Sequence, residues 1–200
     1  MSDFWNTRYA QEDYAYGIEP NVFYAEHLPT LSGDKILFAA EGEGRNAVYA
    51  AQQGYDVTAY DLSEQGKKKA LALAAEMNVS IAYHVDSLDT LAFTPESFDG
   101  LVLIYAHFPA EIRPKEHQKL LSLLKPGGKV LFEAFAKAQL GNPSGGPKDV
   151  ALLFDELEVR TEFDGLEFEV LETVEVDLDE GPYHQGKGIV VRFIGTKKAV

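Results

Sequence analysis

Between residues 35 and 135 the chain alternates short apolar runs with helical patterns, and this alternation constrains its fold more than any other feature. Ile36-Leu37-Phe38-Ala39-Ala40 is a continuous apolar run, as expected of a strand covered on both faces. A glycine turn follows, then a helical stretch over 46–53 that Gly54 ends. A second strand is expected over 55–60, ending at Asp61, and Ser63 is placed to cap a long helix over 64–77, which Asn78 ends. A third strand is expected over 80–85, ending at Asp86, and a fourth within 98–105. A helix over 114–125 carries proline at its start, and Pro126-Gly127-Gly128 turns the chain into a fifth strand over 129–135. Alternation of this kind specifies βα units around a mostly parallel sheet.

Beyond residue 135 the pattern changes. The run Gly141-Asn142-Pro143-Ser144-Gly145-Gly146-Pro147 is too rich in breakers for regular structure, and a short helix is expected over 149–157. Two β-rich stretches, 166–177 and 188–195, lie too close in sequence for a parallel return and are expected to pair antiparallel. The 200 residues, 46% of them hydrophobic, suit one core, so one domain over 1–200 is expected: an N-terminal aromatic segment over 1–30, a βα core over 35–135 and a C-terminal hairpin over 160–197.

Charge and composition narrow the chemistry. With 18 basic and 32 acidic residues the net charge is -14, which disfavours nucleic acid, anionic membranes and highly phosphorylated ligands. The absence of cysteine excludes disulfides, cysteine metal sites and a cysteine nucleophile. No apolar run reaches membrane-spanning length and Met1-Ser2-Asp3-Phe4-Trp5-Asn6 lacks a signal-peptide pattern, so a cytoplasmic protein is expected.

The turn Ala40-Glu41-Gly42-Glu43-Gly44-Arg45-Asn46 carries the strongest functional signal. A glycine turn between a first strand and a helix lets backbone approach a ligand beside the exposed N–H groups of the helix start. Gly42-x-Gly44-x-x-Ala47 fits a dinucleotide fingerprint, with Asp61 about 20 residues on to hold a ribose, so a nicotinamide oxidoreductase fits by spacing. A pyrophosphate there would meet Glu41 and Glu43, a repulsion on the order of several kcal/mol in a partly dry site. The ammonium and sulfonium of S-adenosylmethionine would instead be attracted. Asp61 is placed to accept both ribose hydroxyls, with Leu62 beside it; Asp86, followed by Ser87 and Leu88, is placed at the adenine. Each aspartate has a plainer reading as a turn or helix cap.

With these residues in place, the sequence resembles the class I S-adenosylmethionine-dependent methyltransferases over essentially its whole length, and within them the small tellurite-resistance and thiopurine methyltransferase-like group. The resemblance rests on Phe4-Trp5-Asn6 with Arg8-Tyr9, Tyr16-Gly17-Ile18-Glu19-Pro20-Asn21, Glu41-Gly42-Glu43-Gly44-Arg45-Asn46-Ala47, Asp61-Leu62-Ser63 and Asp86. It continues through His107-Phe108-Pro109, Pro126-Gly127-Gly128 and Glu180-Gly181-Pro182-Tyr183-His184-Gln185-Gly186. It implies a Rossmann-like α/β fold: a seven-stranded sheet of order 3-2-1-4-5-7-6 with strand 7 antiparallel and helices on both faces. It also implies that the turn, Asp61 and Asp86 bind S-adenosylmethionine, with S-adenosylhomocysteine as product and no metal. The chain departs from the wider class at Phe38, where an acidic residue is usual, and at Ala40, where glycine is usual.

Methyl transfer needs alignment and exclusion of water, and a general base only if the nucleophile arrives protonated. His107, just after strand four, is placed to act as base or to orient substrate; packing is the alternative. Arg113 is placed either to hold an anionic substrate or in a salt bridge, and His184 either lines the site or sits on an exposed loop. Trp5, Tyr9, Tyr14 and Tyr16 are candidates for an aromatic lid, with Tyr9 read as a cap on the core, and Tyr105 ends strand four at the cofactor. Arg8 is placed to neutralise the cofactor carboxylate. Tyr105-Ala106-His107-Phe108-Pro109 stands where amide-nitrogen methylation usually places Asp/Asn-Pro-Pro-aromatic, and no carboxylate cluster suits metal-dependent catechol chemistry. The expectation is a methyltransferase acting on a small molecule, as monomer or homodimer, with a thiol, selenium or tellurium acceptor suggested by the resemblance alone. A nicotinamide oxidoreductase and a non-catalytic cofactor-binding module remain the alternatives.

Overall fold

The computed structural model describes residues 2–199; Met1 and Val200, the ends of the expected 1–200 domain, lie outside the described residues. Seven strands form one sheet of order β3-β2-β1-β4-β5-β7-β6. They are β1 (Lys35–Ala39), β2 (Asp56–Asp61), β3 (Ala82–Val85), β4 (Phe98–Ile104), β5 (Leu124–Phe135), β6 (Leu166–Glu180) and β7 (His184–Lys197). The first five run parallel, and β7 is antiparallel to both β5 and β6. This is the order and direction that the resemblance implied.

Alternation along the central strands divides the core between two faces. Leu37, Leu101, Leu103, Phe132 and Phe193 pack with Leu120 and Leu121 of α5 (Arg113–Leu123) and with Val159 of α6 (Glu156–Glu162). Ile36, Phe38, Val102, Leu131 and Ile194 pack on the other face with Phe23 and Tyr24 of α2 (Val22–His27), Ala47 and Ala50 of α3 (Arg45–Gln52), and Ala70 of α4 (Glu64–Glu76). A fully buried leucine or phenylalanine in these layers contributes roughly 1.5–3 kcal/mol. Phe38, at the position where the wider class is usually acidic, is wholly buried against Tyr24, so it belongs to this core.

Some boundaries differ from the sequence reading. The helix expected over 149–157 is instead a 3-10 turn, Val150–Leu152, followed by α6, because Asp155 and Glu158 form a reciprocal capping box that starts the helix at Glu156. The fifth strand begins at Leu124, which pairs with Phe98, so the glycine turn lies within β5. The C-terminal hairpin is longer than its apolar core: pairing runs from Leu166↔Lys197 to Glu180↔His184. A short helix, α1 (Ser2–Tyr9), precedes the elements read from the sequence and packs against α4.

Candidate functional site

The carboxyl ends of β1 and β4 lie side by side at the centre of the sheet, and the residue after each has left-handed backbone: Ala40 with φ 52° and Tyr105 with φ 54°. Such conformations cost non-glycine residues of order 1 kcal/mol or more and recur at functional sites. The strain at Ala40 turns the chain sharply out of β1 into the glycine loop. Gly44, with φ 89°, brings the loop down on α4, where an added Cβ would lie 2.5 Å from the Cβ of Ala70.

Within the loop, Glu41 takes a role the sequence reading had not assigned. Its Oε1 accepts the backbone N–H groups of Asn46 at 3.0 Å and Ala47 at 2.8 Å, capping α3 from inside the turn. Burial pushes this carboxyl up to about 8, against those two hydrogen bonds. The helix start, ordinarily an anion site, is therefore satisfied by the chain's own carboxylate. Glu43 is committed elsewhere: one oxygen accepts Ala15 N–H at 2.7 Å and the other pairs with Lys69 at 2.8 Å, tying the N-terminal segment to α4. Its expected cofactor contact is replaced by a structural one. Asn46 likewise accepts the N–H of Asn21 at 2.9 Å and faces that segment.

Asp61, at the end of β2, is buried beneath the loop. Its Oδ2 accepts Gly42 N–H at 3.0 Å and its Oδ1 accepts Ser63 N–H at 2.9 Å. Burial raises its carboxyl to about 6 despite these bonds. Each oxygen keeps a second lone-pair direction, so the carboxylate remains able to accept two hydroxyls. Leu62 is half-buried beside it. Asp86 and Ser87 are exposed at the end of β3, where Asp86 accepts Ser87 N–H at 2.8 Å, and Leu88 is buried. Hydrogen bonds from Thr90 and Ser87 hold the Asp86 carboxyl below its ordinary value, the turn-capping arrangement.

The N-terminal segment closes over this edge. Tyr9 is buried with its ring against Gly42 and Gly66, and Trp5 stacks on it at 5.4 Å. Asn6 accepts from Ser63 Oγ at 2.8 Å and Gln65 N at 3.2 Å, fastening α1 to the start of α4. Arg8 does not reach the glycine loop; its guanidinium lies 3.8 Å from the Tyr183 ring centroid and donates to Tyr16 Oη at 3.3 Å. It braces the N-terminal segment against the tip of the β6–β7 hairpin. The two chains touch closely there: Gly17 and Gly181 both have positive φ, and a Cβ on Gly181 would collide with the backbone of Gly17.

Beside Tyr105 lies a buried polar network that the motif reading did not assemble. Tyr105 Oη donates to Glu133 Oε1 at 3.1 Å, and Asn21 Nδ2 donates to the same oxygen at 2.7 Å. Glu180 accepts from Arg45 at 3.0 Å and from His184 at 3.0 Å. Burial alone would raise Glu180, but the His184 hydrogen bond and the Arg45 charge outweigh it and hold the carboxyl at about 2. Burial lowers His184, which therefore donates as a neutral imidazole and packs against Tyr105 at 4.6 Å. Glu133 carried a signal in the sequence: a carboxylate within the apolar run Val130-Leu131-Phe132-Glu133-Ala134-Phe135 is rarely buried without a role.

His107 is enclosed between Phe135 and Phe154, and Nδ1 lies 2.7 Å from the carbonyl of Leu152. That bond requires the proton on Nδ1 and leaves Nε2 a buried acceptor with no partner among the described residues. Burial lowers the imidazole to about 4. Arg113 is a correction to the substrate-binding expectation. It is buried, donates to both oxygens of Glu162 through Nε at 2.9 and 3.0 Å, and donates to the carbonyls of Ala151 and Leu153. His117 meets the same glutamate at 2.8 Å, so Arg113 belongs to the joint between α5 and α6.

Residues 36–128 match a methyltransferase domain family. Over 114 residues the chain is 36% identical to the ubiquinone biosynthesis O-methyltransferase of Idiomarina loihiensis, an alignment covering 55% of this chain and 46% of that protein. The chain thus spans about half the length of that relative. It is 27% identical to the thiopurine S-methyltransferase of Vibrio cholerae over 184 residues, 82% of each chain. Among solved structures, TehB from Haemophilus influenzae superposes with a TM-score of 0.73 at 19% identity, covering 98% of this chain and 67% of that one. The fold also recurs in methyltransferase structures with bound S-adenosylmethionine or S-adenosylhomocysteine.

Proposed function

We propose that this chain is a class I S-adenosylmethionine-dependent methyltransferase that transfers the donor's methyl group to a small-molecule nucleophile, a reading that its fold and its match to a methyltransferase domain family support. The observation that carries this reading is the pairing of Asp61 with a glycine loop whose anion-binding helix start is already filled by Glu41. A carboxylate at the end of β2 suits a ribose, and a helix start whose N–H groups are already accepted by Glu41 has no free donors there for a pyrophosphate. The nicotinamide alternative loses its support on this geometry.

The donor set fits the cofactor. Asp61 would hold the ribose hydroxyls, Leu88 and the exposed Asp86 would flank the adenine, and Glu41 would meet the ammonium. When bound, the cofactor supplies a methyl group already activated by the sulfonium, so the reaction is an in-line displacement. The chain's part is to align and to exclude water. Tyr9 lies against the loop at Gly42 and Trp5 stacks on Tyr9, so the two would cover a ligand held there. Nε2 of His107, free to accept, takes or orients a proton on an acceptor that arrives protonated, and His184 fixes the wall opposite through Glu180. Arg113 is left out, its donors being committed to the α5–α6 joint.

We read the acceptor as a small soft nucleophile such as a thiol, handled in the cytoplasm by a monomer or homodimer without nucleic-acid or membrane partners. Calorimetric titration is expected to show micromolar binding of S-adenosylmethionine and S-adenosylhomocysteine. S-adenosylhomocysteine release against a panel of small nucleophiles then separates an enzyme from a non-catalytic binding module. A folded chain that binds neither cofactor form refutes the reading.

A further inference from the structure

A cleft of about 400 Å³ lies on the α2 face of the sheet, between the segment over 16–26 and strands β5, β6 and β7. Its walls are apolar, formed by Ile18, Pro20, Val22, Phe23, Val176 and Leu178. Glu19, Glu26, Glu133 and Glu180 bring acidic side chains to it, Glu180 being already paired with Arg45 and His184, while Asp177 and Asp179 turn to the other face of β6, Asp177 onto Lys187. The cation in the lining is Arg192, which is already paired with Glu172 at 2.7 Å and lies 4.9 Å from the Phe23 ring centroid.

Glu133 distinguishes this cleft from an acidic patch of surface. It is 2% exposed, and both of its hydrogen bonds, from Asn21 and Tyr105, fall on Oε1. Oε2 has no hydrogen-bond partner among the described residues, although the side chain lines the cleft. Oε2 is not among the occluded unpaired atoms, so it is open to the cleft, where a donor on an incoming ligand can reach it. Through Oε1 it stands one hydrogen bond from Tyr105, the residue that ends β4 at the transfer site.

We propose that this cleft binds a small organic cation with an apolar body, its ammonium or other charged donor held by Glu133 Oε2 and its body against Phe23, Val176 and Leu178. Glu133, Glu19 and Glu26 disfavour an oxyanion there, with Arg192 as the opposing charge in the lining. As the grip on a methyl acceptor the cleft rests on the methyl-transfer reading; as a binding site it does not. Burial raises the Glu133 carboxyl, so an incoming cation that ionises it fully would gain both a charge and a hydrogen bond.

The test uses two probes of equal body and opposite charge, tryptamine and indole-3-propionate, titrated into the full chain by calorimetry or ligand-observed NMR. Tryptamine is expected to bind about tenfold more tightly, and Glu133→Gln to lose about tenfold of that affinity, the scale of one charge-assisted hydrogen bond. Ile18→Trp, at an exposed wall position, fills the cleft without touching Glu133 and is expected to displace tryptamine even if Glu133→Gln fails to fold. Equal binding of the two probes, or tryptamine binding unaltered in Ile18→Trp, overturns the proposal. S-adenosylhomocysteine titrated into the unmodified chain tests the methyl-transfer reading separately: its failure with tryptamine binding intact sinks that reading and leaves the cleft standing.

Discussion

Glu41 Oε1 accepts the backbone N–H of Ala47 at 2.8 Å, so the positive end of α3 is satisfied from within the glycine loop. Burial outweighs that bond and holds the carboxyl at about 8, against an ordinary value of 4.5, and likewise raises Asp61 to about 6 from 3.8. Both groups bind protons more readily in the folded chain than in the unfolded one. Their stabilisation is therefore full at low pH and is lost as pH rises through the two folded values.

Above the histidine range the ligand-free protein is expected to melt a few degrees higher near pH 7 than near pH 8.5, by differential scanning calorimetry, whereas below about pH 6.5 the buried His107, His117 and His184 pull the other way. Glu41→Gln is expected to flatten the upper part of that slope. Glu180, held at about 2, acts in the opposite sense and removes stability only as pH falls below the ordinary carboxylate range. A melting temperature that climbs steadily from pH 7 to 8.5 contradicts this account.

Asp61→Ala is expected to weaken S-adenosylmethionine and S-adenosylhomocysteine alike, by about 10- to 100-fold, because the ribose is common to both. Calorimetric titration checks it. Loss confined to the methylated form would place Asp61 at the sulfonium instead.

Ala40→Gly is expected to raise stability by about 0.5–1 kcal/mol, since relief of left-handed strain exceeds the added freedom of the unfolded chain. Ala40→Val is expected to lower it. Urea unfolding of the pair reads the sign directly, and a destabilised glycine variant would show that the φ of 52° carries little strain.

Glu162→Ala is expected to cost about 3–5 kcal/mol, because it strands the buried Arg113 guanidinium and removes the partner of His117. Urea unfolding measures the cost, and S-adenosylhomocysteine affinity is expected to hold in conditions where the variant stays folded. A large loss of affinity with unchanged stability would return Arg113 to the site.

The sheet was legible because each strand carried its own local signal. Apolar runs, Gly54, the Ser63 cap and the Pro126-Gly127-Gly128 turn are short-range features that place the strands and helices along the chain, whereas the order of strands within the sheet came from the family resemblance. Asp61 was legible for the same reason, as the residue at the end of a readable strand. The fates of Glu43, Arg8 and Arg113 were not, because each depends on a partner far away in sequence: Lys69 and Ala15, Tyr183, and Glu162. The exposure of a charged residue in such a motif says nothing of which distant group will claim it. The helix at 156–162 was missed for a local reason: the Asp155–Glu158 capping box lay within the expected helix and marked a later start.

The clasp between Gly17 and Gly181 joins stretches from opposite ends of the sequence. Contacts of this separation form late, after the entropy of closing the intervening chain has been met. A chain emerging from the ribosome would therefore complete its βα core, with Asp61 and the glycine loop in place, well before the hairpin tip arrives to meet Tyr16 and Arg8. Core and clasp are acquired in that order, and the tie between the N-terminal segment and the hairpin tip is the last long-range contact to close.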